Sequence, residues 1–230
     1  MANALRLHGT ETPCTLILLT QRLQVRRSIG TPHVMTSPGP MFTTNTLQSF
    51  IADIEDAVRA TDQQTARVDR VATVLRNYLQ STHWLPEKFQ KVQAAHYARH
   101  LVHRSSDLGV TVVAMVWAPG QTTPIHDHAG TWCVEGVYAG RILVTRYDLA
   151  SQEGSSVFHF RQHGQFEQGL GGTGALIPPV EYHSIENREA TPAVTVHVYG
   201  RELEQCGVYL PEPDGSHRLE HKNLQYATMY

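Results

Sequence analysis

The chain has 230 residues, of which 41% are hydrophobic and 17% charged, and a formal net charge of −2. That size and balance suit one soluble, enzyme-sized domain, and the near-neutral charge gives no reason to expect nucleic acid or an anionic membrane as partner. No apolar run approaches the roughly 20 residues that cross a bilayer, and the longest near the start, Leu16-Ile17-Leu18-Leu19, is too short for a signal-peptide core.

Residues 1–40 differ from the rest. They are rich in Thr, Pro and Ser, carry Arg6, Arg22, Arg26 and Arg27 against the single acid Glu11, and show no sustained period. An arginine-rich, acid-poor leader is one form of organelle transit peptide. The reading adopted is a disordered leader or an over-extended start, with Met41 the natural first residue and residues 41–230 a single domain. The cysteines, Cys14, Cys133 and Cys206, are sparse, odd in number and without CxxC spacing. That argues against a disulfide framework and for a reducing, cytoplasmic location.

From Thr44 the pattern is helical. Leu47, Phe50, Ile51, Ile54, Ala57 and Val58 recur at three- and four-residue steps behind the capping candidates Thr44 to Thr46. A second stripe, Val68, Val71, Val74, Leu75, Tyr78 and Leu79, follows a polar break at Asp62 to Thr65, and Pro86 closes the region. A helical flank over 44–92 is predicted. Beyond about residue 95 the period becomes two: Tyr97, Arg99, Leu101 and His103 alternate with Ala98, His100 and Val102. Further β-rich runs stand at 110–117, 132–137, 142–147, 157–160, 174–177 and 194–199. Short strands behind two helices predict a mainly β fold, a barrel or sandwich over about 93–212 with a helical flank.

Fourteen histidines stand out, and their spacing decides what they mean. In Gly120-Gln-Thr-Thr-Pro-Ile-His126-Asp-His128, two histidines one residue apart on a strand share a face, so both imidazoles can approach one ion. A lone HxH is weak evidence, since surface pairs arise by chance. The frame raises it, with Gly120 six residues before His126, Gly140 twelve after His128, and Ile177-Pro-Pro-Val-Glu-Tyr-His183 followed by Asn187 further on.

These segments resemble the two motifs of the cupin superfamily, GX5HXHX3–4EX6G and PxGxxHxxxN. The resemblance implies a double-sheet, jelly-roll β-barrel whose inward histidines His126, His128 and His183 bind a metal. The acidic position of the first motif falls on Cys133, and Val180 or Glu181 stands where the second motif usually has glycine. Those departures resemble the cysteine dioxygenase family over most of residues 90–206. Tyr97-Ala-Arg99-His-Leu101 is similar to its YxRxL segment, Pro124-Ile-His126-Asp-His128 to its (S/P)-I-H-D-H run, and Thr195-Val-His197-Val-Tyr199 to its SxHxY triad. Cys133 and Cys206 also fall where animal members carry cysteines.

The resemblance implies one Fe(II) per chain on three histidines and the conversion of a small thiol and O2 to a sulfinate. Arg99, with Tyr97 on the same face, would receive the substrate carboxylate. Thr195 would orient His197, His197 would hold Tyr199, and the phenol would donate a hydrogen bond at the iron. The spacing also permits a thioether between Cys133 and Tyr199. Three neutral imidazoles leave a divalent ion its full charge, and a thiolate ligand offsets it where a carboxylate is lacking. Glu135, two residues past Cys133, could face the same way and make a two-His-plus-carboxylate site instead. Trp132 and Trp117 are read as core.

Animal members follow the triad tyrosine with serine and proline, whereas this chain has Gly200-Arg201. Arg201 is a second candidate for carboxylate binding. Arg99 favours L-cysteine, and Arg201 keeps 3-mercaptopropionate as the alternative. A cupin of another reaction and a non-catalytic metal-binding cupin are the rival classes. A monomer or weak homo-oligomer is expected.

Overall fold

The computed structural model describes residues 45–81 and 83–227. The expected leader over 1–40, with Met41 and Cys14, lies outside them. Helix α1 (Leu47–Arg59) begins in a capping box. Thr46 Oγ1 accepts from the Ser49 N–H at 3.1 Å, and Ser49 Oγ accepts from the Thr46 N–H at 3.0 Å. It buries Phe50, Ile54, Ala57 and Val58. Helix α2 (Gln64–Tyr78) starts within the expected polar break, without a side-chain cap, and buries Val68, Val71, Leu75 and Tyr78.

Eleven strands follow among the described residues: β1 (Ala98–Arg104), β2 (Thr111–Trp117), β3 (Ile125–His126), β4 (Cys133–Ala139), β5 (Arg141–Glu153), β6 (Val157–Gly169), β7 (Thr173–Leu176), β8 (His183–Glu186), β9 (Ala193–Tyr199), β10 (Gln205–Pro211) and β11 (His217–Asn223). They form two antiparallel sheets. One has the order β1-β2-β9-β4-β7; the other runs β10-β11-β6-β5-β8-β3 and closes through the β3–β10 pair. This is a mainly β, double-sheet barrel with two helices beside it. The sheet continues past residue 212, where the sequence predicts its end, because β11 pairs along the whole of β10.

The five-stranded sheet is buried on both faces, and alternation along its strands sorts the side chains. On β9, Val194, Val196 and Val198 join the helices in one core with Phe50, Leu75 and Trp84. Ala193 and Tyr199 belong to a second core, with Val113, Trp117, Cys133, Val144 and Ile185, between the sheets. Period two therefore carries Thr195, His197 and Tyr199 into the barrel together.

Candidate metal centre

The short strand β3 makes His126 the register partner of His183 on β8. Ring centroids are 4.4 Å apart for His126 and His183, 5.1 Å for His128 and His183, and 5.5 Å for His126 and His128. One ring nitrogen from each lies within 4.8 Å of the others. His126 Nδ1 is 3.2 Å from the Pro124 carbonyl, and His183 Nδ1 is 3.1 Å from the Glu181 carbonyl. A carbonyl only accepts, so both Nδ1 atoms carry the proton and both Nε2 atoms present a lone pair. Burial holds the His126 pKa down to about 4 and that of His183 well below its ordinary value, which keeps both rings neutral.

The buried His183 Nε2 has no hydrogen-bond partner among the described residues. An orphaned acceptor in a dry interior costs on the order of 1–3 kcal/mol. A cation that takes its lone pair removes that cost, so the three residues fit a transition metal that accepts imidazole ligands.

Two acids support this set without having been singled out by the sequence. Glu181 Oε2 accepts from the His128 N–H at 3.0 Å and lies 3.3 Å from His128 Nδ1, while the Glu181 carbonyl orients His183. Asp127 Oδ1 accepts from the Ala129 and Gly207 N–H groups at 3.0 and 2.9 Å, and Oδ2 from the Tyr209 hydroxyl at 2.8 Å. Asp127 thereby pins the HxH segment to β10. An Asp between two histidines signals a local turn at most, because its bonds to Gly207 and Tyr209 need β10 in place.

On β9 the hydrogen-bond order can be followed atom by atom. Trp117 Nε1 donates to Thr195 Oγ1 at 2.9 Å, and Thr195 Oγ1 lies 2.7 Å from His197 Nε2. The Thr195 oxygen has a second lone pair beside the one the indole uses, so its hydroxyl donates to His197 Nε2 in one tautomer of that ring and accepts from it in the other. His197 Nδ1 faces Glu135 Oε2 at 3.4 Å and Cys133 Sγ at 3.9 Å. Trp117 is core, as expected, but its indole N–H also starts this chain. The His197 and Tyr199 rings stack, 6.0 Å apart and 13° from parallel, so His197 backs Tyr199 by its face and not through a ring nitrogen. Cys133 and Tyr199 are register partners across β4 and β9, and both are buried.

Glu135 does face the same way as Cys133. It is buried, it opposes His197 in register, and its Oε2 also lies 3.9 Å from His183 Nε2. Burial raises its pKa, against the opposing effect of His128 and Arg146. Glu135, Cys133 and His197 form a second group of possible ligand atoms within 4.8 Å of one another.

Arg99 is 4% exposed. Its Nη2 donates to the Leu203 carbonyl at 3.3 Å, whereas the buried Nε and Nη1 have no partner among the described residues. Tyr97 stacks on Trp117 at 4.6 Å. Both Arg99 and Tyr97 line a cavity of about 350 Å³ with Gln93, Lys222 and Tyr226, and none of the three histidines borders it. Arg201 lies exposed, its guanidinium donating to the Ala129 carbonyl.

The family model for cysteine dioxygenase type I matches residues 35–211, well over half of the chain. Similar solved structures include a protein from Thermus thermophilus, 18% identical over 49% of this chain and 90% of that one, with a TM-score of 0.39. A Klebsiella pneumoniae protein with a double-stranded β-helix domain is 18% identical over 52% and 89%, with a TM-score of 0.38. An oxalate oxidase is 26% identical over 42% and 44%, with a TM-score of 0.33. Similarity at this level carries no argument about chemistry.

Proposed function

The chain belongs to the cysteine dioxygenase type I family, and from that premise we propose that this thiol dioxygenase oxidises L-cysteine to its sulfinate with one ferrous ion per chain. His126, His128 and His183 would hold the iron. When bound, the iron supplies a site for the thiolate sulfur and activates O2, both atoms of which end on that sulfur.

Arg99 is the observation that supports a carboxylate-bearing thiol as substrate, a feature that L-cysteine and 3-mercaptopropionate share. A buried guanidinium with two unsatisfied N–H groups is costly alone, and a planar carboxylate offers the two acceptors that match its fork. Holding the carboxylate fixes where the rest of a small thiol can reach, which is the positioning part of catalysis. Arg201, exposed and already donating to Ala129, is the weaker candidate for this role.

Tyr199 stays a neutral hydrogen-bond donor in this reading, because burial pushes its phenol well above the ordinary range. Trp117, Thr195 and His197 hold its ring face in order. A thioether between Cys133 and Tyr199 would fix the phenol further; O2 would accept the two hydrogens lost as the S–H and ring C–H bonds give way to the S–C bond, and the linked peptide would be lighter by those two hydrogens. A reducing cytoplasm suits the free thiols of Cys133 and Cys206.

Oxygen uptake with the iron-loaded enzyme tests the proposal. A larger kcat/KM for L-cysteine than for 3-mercaptopropionate is expected. Equal or greater kcat/KM for 3-mercaptopropionate would overturn the substrate, and tight iron binding with no thiol-dependent uptake would favour a non-catalytic cupin.

A further inference from the structure

Arg99 is held from a part of the chain beyond the segment that matches the family model. After β11, residues 224–227 line the cavity beside it. This segment is tied at both ends: the Leu224 N–H donates to the Glu204 carbonyl at 2.8 Å, and the Ala227 N–H donates to the carbonyl of Arg99 itself at 2.7 Å. Between these anchors the Tyr226 ring presents its face to the guanidinium, with the Arg99 Cζ 5.0 Å from the ring centroid. The Tyr226 hydroxyl donates to Glu202 Oε1 at 3.3 Å, a carboxylate that Arg104 of β1 also binds. Leu224 and Tyr226 pack against the interior cluster that contains Tyr199, Leu203 and Cys206.

Among the described residues the Arg99 guanidinium donates to the Leu203 carbonyl, at the long end of the hydrogen-bond range. A long side chain so loosely held would sample several rotamers. An aromatic face against the cation restricts it and stabilises its charge, yet consumes no N–H. Nε and Nη1 are thus left for an anion, and both are in fact unpartnered among the described residues.

We propose that Tyr226 is a positioning residue for substrate recognition, which holds the Arg99 fork ready for the carboxylate. This rests on the reading of Arg99 as the carboxylate receptor. Lys222, whose Nζ sits 5.7 Å from the Tyr97 ring centroid, lines the same cavity without fixing Arg99.

The test uses the iron-loaded, full-length enzyme and the variants Tyr226→Ala, Tyr226→Leu and Tyr226→Phe. Tyr226→Leu keeps apolar packing while it removes the π face and the hydroxyl bond to Glu202, and Tyr226→Phe removes that bond alone, so the leucine variant serves if the alanine variant fails to fold. Loss of the stack should raise KM for L-cysteine roughly fivefold to tenfold, with kcat within about twofold, in Ala and Leu. Phe, which retains the ring, should stay within about twofold of the parent KM. Cysteamine lacks the carboxylate, so its KM, or its Ki against L-cysteine, should not move in any of the three. A normal L-cysteine KM in Tyr226→Leu, or an equal rise for cysteamine, overturns the inference. Arg99→Ala separates the two levels. If it raises the L-cysteine KM while Tyr226→Leu does not, Tyr226 has no positioning role and the Arg99 reading stands. If Arg99→Ala leaves that KM unchanged, the Arg99 reading itself fails.

Discussion

Glu135 stands opposite His197 across the β4–β9 pair, and its Oε2 lies 3.4 Å from His197 Nδ1. In the tautomer with its proton on Nδ1, His197 gives that carboxylate a proton-bearing partner inside the barrel. It also lies 3.9 Å from His183 Nε2. Glu135→Gln decides between the two roles. If the carboxylate serves His197, the variant keeps one iron per chain by metal analysis and loses kcat. If the carboxylate is a ligand, iron content falls in step with activity.

The histidine set makes a stronger demand. His183→Ala removes a ligand and should abolish iron binding together with oxygen uptake, whereas retained iron at normal stoichiometry would remove His183 from the assignment. Glu181→Ala leaves all three ligands but frees the His128 N–H from its 3.0 Å acceptor. Loss of such outer support typically costs about ten- to a hundredfold in metal affinity. A chelator titration of the loaded variant against the parent should read a weakening of that order.

Gly200 explains why this chain departs from the serine that animal members carry after the triad tyrosine. A Cβ there would meet Trp132 Nε1 at 2.3 Å and Cε2 at 2.6 Å, and the Gly200 N–H donates to the Trp132 carbonyl at 3.1 Å. The large indole on one side and the bare backbone on the other are one packing solution. Gly200→Ala should cost about 1–3 kcal/mol of stability from overpacking, measured by denaturant midpoint. Combined with Trp132→Leu, the loss should be smaller than the sum of the single variants. Simple additivity would mean that the contact is not the cause.

The parts of the fold and site that the sequence makes legible are those set by local spacing. The cap among Thr44 to Thr46, the apolar stripes of α1 and α2, and the period-two placement of Thr195, His197 and Tyr199 on one face all follow from neighbours along the chain. What escapes depends on the far side of the barrel. Strand β11, His-Arg-Leu-Glu-His-Lys-Asn, is mostly exposed and carries no apolar alternation to announce it. The outer halves of β5 and β6 are long and polar for the same reason. Glu181 looks like an irregularity in a motif until His128 is seen against it. Tyr226 lies outside any periodic run, and only the bond from Ala227 to the backbone of Arg99 brings it to the cavity.

Cys206 supplies a pH dependence whose sign is fixed. Burial is the main cause that lifts its thiol from an ordinary 9.0 to about 11; Asp127 adds to the rise, and Arg99 and Lys222 oppose it. The unfolded chain loses this proton near pH 9, while the folded chain keeps it to about pH 11. Above pH 9 the unfolded state therefore binds fewer protons, and the stability contributed by the neutral thiol is complete below that pH and lost between 9 and 11. The expected loss by pH 11 is about 2 kcal/mol. Cys133 and Tyr199, raised in the same direction by burial, add to the fall in the parent, so the Cys206 share is read as a difference. Urea midpoints of the parent and of Cys206→Ser, taken from about pH 8 to pH 11, should diverge at low pH by a constant packing offset and converge as pH rises. Parallel curves across that window would mean that the Cys206 thiol ionises as freely in the folded protein as in the unfolded chain, and that the apolar wall it shares with Tyr199 and Leu203 does not exclude water.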